Sequence, residues 1–337
     1  MEDGPTTAHP DVTESDVRDA FEAAAYVAED EIVTTVQLAL RLGKPLLVEG
    51  EPGAGKTELA KVLAAGFGSE LIRLQCYEGL TAEHALYEWN YTKQLLAVQS
   101  GDDAEPSVFS EEYLLERPLL AALRGDGDRP PVLLVDEIDR ADAEFEALLL
   151  EVLSDFQVSI PELGTVAADR PPIVVVTSNR TRALSDALKR RCLYLHVSPP
   201  SFEKEREILR LRVPELDGVV AAELCAAVAR LREEPLRKPP GAAETIDWAR
   251  AVANVSQHGD GAGDGPVLTR DVVRNTLGCL LKEVEDVERV DDDLLTALLD
   301  AAEDAAADAA EAVADDEAMD NQRTDESPAA GDVEANR

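Results

Sequence analysis

Aromatic side chains are scarce in this chain, at 4% of its 337 residues, so any core must be mostly aliphatic. Cysteine is sparse too. Cys76, Cys192, Cys225 and Cys279 lie far apart and form no CxxC pair, the pattern of reduced, buried thiols. His9, His84, His196 and His258 are equally scattered, and no metal-ligand cluster is visible. No apolar run approaches the roughly 18 residues that a membrane helix requires. The opening MEDGPTTAHPDVTESD is acidic and polar, unlike a secretory leader, so a cytoplasmic protein is expected. Positive charge is the scarcest commodity: 32 basic residues stand against 69 acidic ones, a net charge of −37. In 1 M salt the screening length is about 3 Å, and self-repulsion between surface carboxylates largely disappears. A salt-adapted protein is the reading we favour over a polyanionic binding protein. The same charge argues against broad nucleic-acid binding, which needs Lys and Arg to meet phosphates, although a local basic patch escapes that argument.

Against this background one stretch stands out. SDALKRRCLYLH, residues 185–196, sets Lys189, Arg190 and Arg191 side by side, with Arg180 and Arg182 just upstream. Adjacent cations repel, and nothing nearby balances all of them.

Residues 1–15 read as disordered. Residues 16–200 alternate helix and strand. DVRDAFEAAAYVAEDEIVTTVQLALRLG reads as helix, broken at Gly43. KPLLVEG, ELIRLQCYEG, PVLLVDEID and PIVVVTSN are short apolar runs, the signature of buried strands. QVSIPELGTVAADRP reads as a β-hairpin, with helix before it in ADAEFEALLLEVLSDF. Residues 80–130 read as helical pieces around an acidic loop. Alternation of this kind implies an α/β fold, a parallel sheet between helices. After residue 200 strands vanish and helical segments follow to residue 316, a small all-α domain. Residues 317–337 are acidic and poor in hydrophobics and read as a disordered tail.

Three motifs carry chemistry. GEPGAGKT, comprising Gly50, Glu51, Pro52, Gly53, Ala54, Gly55, Lys56 and Thr57, fits the phosphate-binding loop GxxxxGK[ST], with a strand before it and a helix from Lys56 and Glu58 onward. Its glycines let backbone N–H groups turn toward phosphate, and the helix points its positive end at the same anion. Lys56 is placed for the β and γ phosphates of ATP and Thr57 for Mg2+. VLLVDEID delivers Asp136 and Glu137 to a strand's carboxyl end, where open α/β sheets bind ligands. Asp136 would hold magnesium through water, and Glu137 would polarise the attacking water. Asp139 reads as a helix N-cap or as a partner of Arg140. VVVTSN ends a further strand with Thr177, Ser178 and Asn179, and Asn179 is the candidate to touch the γ-phosphate or hold the lytic water.

In this order, phosphate loop, Asp-Glu strand end, Thr-Ser-Asn strand end, arginine-rich segment and helical domain, the chain resembles the AAA+ ATPases. DEIDRA at 136–141, the hairpin FQVSIPELGTV and the extended region 80–110 resemble the MoxR branch. The resemblance covers about residues 15–290. It implies a P-loop NTPase core followed by a helical lid, and a homo-oligomeric ring, a hexamer by analogy. It also implies that an arginine, Arg191 or else Arg190, reaches the phosphate bound by the neighbouring copy. Many relatives carry a further arginine early in a lid helix. Ala243 and Glu244 stand where it would be, with Arg237, Lys238 and Arg250 as substitutes.

The implied function is a chaperone-like ATPase that remodels a protein client, often with a von Willebrand A domain partner. A nucleic-acid-dependent AAA+ motor is the alternative; it needs a basic pore face and DNA-stimulated activity. A small-molecule kinase would share only the phosphate loop, and would transfer phosphate to an acceptor instead of releasing it.

Overall fold

The computed structural model describes residues 11–100, 109–125, 127–161, 163–258 and 267–325. The expectations for residues 1–10, for the acidic loop at 101–108 and for the tail beyond 325 lie outside these. The chain divides into two compact units, Met1–Pro199 and Pro200–Arg337.

The first unit is built on a five-stranded sheet. Its strands are β1 (Leu46–Gly50), β2 (Leu71–Gln75), β5 (Val132–Asp136), β8 (Ile173–Ser178) and β9 (Leu193–Val197), in the order β2-β5-β8-β1-β9, with every pairing parallel. Two small antiparallel pairs lie outside it: β3 (Tyr87–Trp89) with β4 (Leu114–Glu116), and the hairpin β6 (Gln157–Ile160) with β7 (Gly164–Ala167).

The three inner strands, β1, β5 and β8, are largely apolar and buried throughout because both faces of the sheet are covered there. Side chains alternate between faces. Leu46, Val48, Val132, Leu134, Ile173 and Val175 join one core with the helices Glu14–Ala23, Asp30–Leu42 and Lys56–Phe67. Leu47, Leu133, Val135, Val174 and Val176 join the opposite core with Pro118–Arg124, Ala143–Asp155 and Asp186–Arg191. β9 at the sheet edge behaves differently. Tyr194 and His196 are exposed while Leu195 and Val197 are buried, the period-two pattern of a strand covered on one face.

Four features differ from the sequence reading. The first helix begins at Glu14, within the stretch read as disordered to residue 15, because Thr13 and Asp16 form a reciprocal capping box. The helix expected to run unbroken to Gly43 is two helices. Ala25 turns into the left-handed region at φ 50°, and Tyr26 folds back so that its ring lies 5.3 Å from that of Phe21. The region 80–130 contains the β3–β4 pair as well as helix. β9, with its alternating pattern, was not foreseen as a strand.

The second unit is helical, with helices Phe202–Arg212, Gly218–Arg232, Ala242–His258, Arg270–Leu280, Val284–Arg289 and Asp292–Asp325. Trp248 sits at its centre, 1% exposed, and its indole N–H donates to Thr276 Oγ1 at 2.7 Å. The last helix runs past residue 317, where the tail was expected to begin. Among the described residues no helix is long and apolar enough to cross a membrane.

Candidate active site

β1 ends at Gly50, whose lack of a side chain is required by the sheet itself. A Cβ there would lie 2.1 Å from the backbone carbonyl oxygen of Val197 on β9. The loop then turns through Gly53 at φ 83° and Gly55 at φ 88°, a region that glycine enters without steric cost. Gly55 starts the helix Lys56–Phe67, and no side chain caps that helix, so its first N–H groups face the loop. Lys56 is buried, 7% exposed, and its ammonium donates to the carbonyls of Gly50 at 2.9 Å and Glu51 at 2.7 Å. Burial lowers its pKa, and the carboxylates of Asp139, Asp136, Glu137 and Glu51 pull it back up.

Asp136, at the end of β5 and 3% exposed, is the hub. Its Oδ1 accepts from Thr57 Oγ1 at 3.1 Å and from Thr177 Oγ1 at 2.6 Å. Its Oδ2 accepts from Arg73 Nη2 at 2.5 Å and Nε at 3.1 Å. Glu137 takes a left-handed backbone at φ 57°, uncommon for a side-chain-bearing residue, and its N–H donates to Thr177 Oγ1 at 2.9 Å. Its carboxylate accepts from Gln75 Nε2 at 3.1 Å, Asn179 Nδ2 at 3.3 Å and Arg140 Nη1 at 3.1 Å. The loop, Lys56, Thr57, Asp136, Glu137 and Asn179 thus converge at the carboxyl edge of the sheet.

Asp139 is neither a helix cap nor a partner of Arg140. It is buried and accepts from the N–H groups of Asn179 and Thr181 and from the Thr181 hydroxyl at 3.1, 2.9 and 2.6 Å. Burial pushes its pKa up, but these hydrogen bonds outweigh that and leave it below the ordinary value. The cap of the helix Ala143–Asp155 is Asp142.

The arginine cluster divides by role. Arg182 is structural: it pairs with Glu146, 2% exposed, and donates to the Ala141 carbonyl at 2.8 Å. Arg180 stands 3.6 Å from Glu49, the residue before Gly50. Lys189, Arg190 and Arg191 are exposed on the helix Asp186–Arg191, and among the described residues none of them forms an ion pair. They are not part of their own chain's pocket. Arg191 precedes Leu193, which pairs with Leu46 at the start of β1, whereas the loop begins four residues later at Gly50. At about 3.3 Å per residue that is ~13 Å along the strand, at the opposite edge of the sheet.

Within the helical unit Glu244 lies in the first turn of Ala242–His258 and accepts from the Gly241 N–H at 3.1 Å. Arg237 pairs with Glu285 at 2.6 Å, the Lys238 N–H donates to Asp286 at 3.0 Å, and Arg250 lies 3.8 Å from Asp247.

The sequence reading did not single out Arg73, Gln75 or Glu146. A cation and an amide two residues apart in an otherwise apolar strand candidate, ELIRLQC, were the available signal for the first two, since such residues share a face. Three cysteines, Cys76, Cys192 and Cys225, are buried, and burial pushes each thiol up to about 12.

The donor set fits a magnesium nucleotide. Positive-φ glycines and an uncapped helix start offer N–H groups to phosphate, a desolvated ammonium lies beside them, and Thr57 and Asp136 present the hard oxygen ligands that magnesium takes.

Residues 45–192 match the profile of the AAA domain (dynein-related subfamily). The chain is 29% identical over 187 residues to the uncharacterized protein YehL of Escherichia coli (strain K12), covering 52% of this chain and 48% of that protein. It is 26% identical over 259 residues to the Holliday junction branch migration complex subunit RuvB of Mycobacterium avium (strain 104), covering 75% of this chain and 61% of that one. It therefore spans only about half to three fifths of these relatives' length. Among solved structures, the Thermotoga maritima RuvB Holliday junction branch migration motor aligns with a TM-score of 0.43 at 19% identity, covering 77% of this chain and 72% of that chain. With a phosphate loop and an Asp-Glu strand end on one sheet edge, residues 45–192 form an AAA domain of the AAA+ ATPase superfamily.

Proposed function

We propose that this chain is a MoxR-like AAA+ ATPase, that it hydrolyses ATP at sites completed by a neighbouring copy in a ring, and that the work remodels or assembles a protein client. The observation that carries the reading is the hydrogen-bonded set Thr57, Asp136, Thr177, Glu137 and Asn179, gathered where the phosphate loop leaves β1. In this reading the loop N–H groups and Lys56 bind the triphosphate. Thr57 and Asp136 would hold magnesium, which would supply charge neutralisation to the triphosphate. Glu137 accepts a proton from the attacking water, and Asn179 orients that water or the γ-phosphate. Arg191, with Arg190 as the alternative, supplies a planar fork of donors to the phosphate held by the next subunit. A ring, a hexamer by analogy, is the assembly that lets every such arginine find a pocket. We read the charge of −37 as adaptation to a salty cytoplasm and as opposition to a DNA track. A protein with a von Willebrand A domain is the partner we expect.

Phosphate release from ATP tests the core of this. Glu137→Gln protein should bind ATP, remain assembled and fail to turn over, whereas Lys56→Ala protein should not bind. Wild-type protein without ATPase activity at any salt concentration would remove the proposal. Affinity capture from native lysate at high salt tests the client: recovery of no protein partner while ATPase activity persists counts against it.

The RuvB relatives favour a second reading, a nucleic-acid-dependent motor. Duplex or branched DNA that stimulates turnover several-fold, with a steep loss of stimulation as salt rises, would select it.

A further inference from the structure

Asp136 has no acceptor capacity to spare. An ionised carboxylate offers about four lone-pair sites. Thr57 and Thr177 occupy Oδ1, and the two N–H groups of Arg73 occupy Oδ2. A magnesium ion, or a water bound to it, that uses Asp136 must displace one of these donors. Thr57 need not move, because a hydroxyl can keep donating its proton to Asp136 while its own lone pairs face a cation. Thr177 is fixed: it is 1% exposed and also accepts the Glu137 N–H. Arg73 is the movable one. Its side chain is 54% exposed, on the edge strand β2, and its Nη2 has a second acceptor in Gln75 Oε1 at 2.6 Å. Its charge also opposes a second cation a few ångströms away. Conversely, a buried carboxylate left without any cation is costly, so Arg73 has a clear role whenever magnesium is not there.

We propose that Arg73 is a tethered counter-ion of Asp136 that magnesium must displace, and that it thereby sets the magnesium concentration at which the site loads. This rests on reading the pocket as a magnesium–ATP site. Arg73 is a positioning residue: it holds Asp136 in place before loading and acts on the nucleotide only through that carboxylate.

The test is binding of a fluorescent ATP analogue to the full chain, titrated with magnesium chloride, for wild type, Arg73→Met and Arg73→Lys. A partly exposed arginine–carboxylate pair is modest in strength, so the half-saturating magnesium concentration should fall about fivefold in Arg73→Met. It should fall about twofold in Arg73→Lys, which keeps the charge but loses the two-donor fork. Without magnesium, Arg73→Met should melt below wild type, and magnesium with the analogue should raise its melting temperature more than that of wild type. An unchanged or raised magnesium requirement in Arg73→Met overturns the proposal. Should Arg73→Met fail to fold, Arg73→Lys decides, and no fall in its requirement overturns it equally. Wild type that binds no analogue at any magnesium concentration sinks the ATP-site reading and this inference together. Wild type that binds in a magnesium-dependent way, with variants that match it, sinks only the inference.

Discussion

An equimolar mixture of Lys56→Ala and Arg191→Ala chains should recover activity that neither chain has alone. Lys56→Ala lacks the ammonium that lies in the loop beneath Gly50 and Glu51, and so lacks the pocket. Arg191→Ala keeps its pocket but offers no guanidinium to its neighbour. Loss of such an arginine costs on the order of 10³ to 10⁵ in rate. The two lesions are separable because Arg191 sits at the amino edge of the sheet, beside the start of β9, and the loop at the carboxyl edge. In a head-to-tail ring a site is complete when its own subunit carries Arg191→Ala and the donating neighbour carries Lys56→Ala. With random assembly each condition holds about half the time, so about a quarter of the sites are whole. Phosphate release should therefore rise from below about one thousandth of wild type for each parent to roughly a quarter for the mixture. As the mixing ratio is varied, activity should follow a symmetric curve that peaks at equal amounts. Arg190→Ala mixed in the same way decides between the two arginines. The reasoning fails if verified mixed rings show no gain over their parents, or if a strictly monomeric preparation turns over at full rate.

Three further outcomes are expected. Gly50→Ala places a Cβ 2.1 Å from the Val197 carbonyl oxygen, a backbone atom that no rotamer change can move, so β1 and β9 must part; overpacking of this kind costs about 1–3 kcal/mol, and a melting temperature equal to wild type would contradict it. Asp139→Asn removes the charge that receives three hydrogen bonds from Asn179 and Thr181, at a cost of about 1–3 kcal/mol near neutral pH. Because the Asp139 pKa is lowered in the folded state, its contribution is present above the unfolded value of about 3.9 and is lost as pH falls through the folded value. The melting-temperature gap between wild type and Asp139→Asn should thus close in acid; a constant gap from pH 7 to pH 3 would refute the assignment. Finally, if the charge of −37 reflects salt adaptation, the wild-type melting temperature should climb steadily between about 0.1 and 2 M KCl, whereas a flat response would leave the charge unexplained.

What could be read from the sequence was local. Three of the five sheet strands, β1, β5 and β8, announce themselves because burial on both faces leaves nearly uninterrupted apolar runs, as in PVLLVD and PIVVVTS, and β2 is legible from the shorter apolar pattern of ELIRLQC. The phosphate loop is legible because its glycines, lysine and threonine do one job within eight residues. β9 was missed because its alternation of buried Leu195 and Val197 with exposed Tyr194 and His196 leaves no apolar run, and LYLH follows directly on the charged helix before it. Arg73, Gln75 and the role of Asp139 were missed for a different reason. Their partners are 63, 62 and about 40 residues distant in the chain, and the register of β2 on β5 and of β5 on β8 alone brings them together. One sequence carries no record of such pairings.

The same long-range contacts explain why the pocket and the exposed arginines are not independent features. The segment between them runs from Thr177, at the end of β8, to Ser185, and it is fastened along most of its length. Thr177 is bonded to Asp136 and to the Glu137 N–H, Asn179 and Thr181 to Asp139, and Arg182 and the Ser185 N–H to the buried Glu146. Ser185 then caps the helix Asp186–Arg191 through the Leu188 N–H, and Leu188, fully buried, anchors that helix in the core. Three carboxylates, Asp136, Asp139 and Glu146, thus hold one connector that begins at Thr177, bonded to Asp136, and ends at the arginines. Two of the three are themselves on the strand end and turn that carry Glu137. Slack in the connector is limited, because a shift of that turn would break several buried or part-buried, charge-assisted hydrogen bonds to Asp136, Asp139 and Glu146, and such bonds are costly to lose. At one end the connector is fixed to the strand end and turn that carry Glu137, and at the other to the helix that carries Arg190 and Arg191, so a chain of side-chain contacts, not a free tether, joins the two.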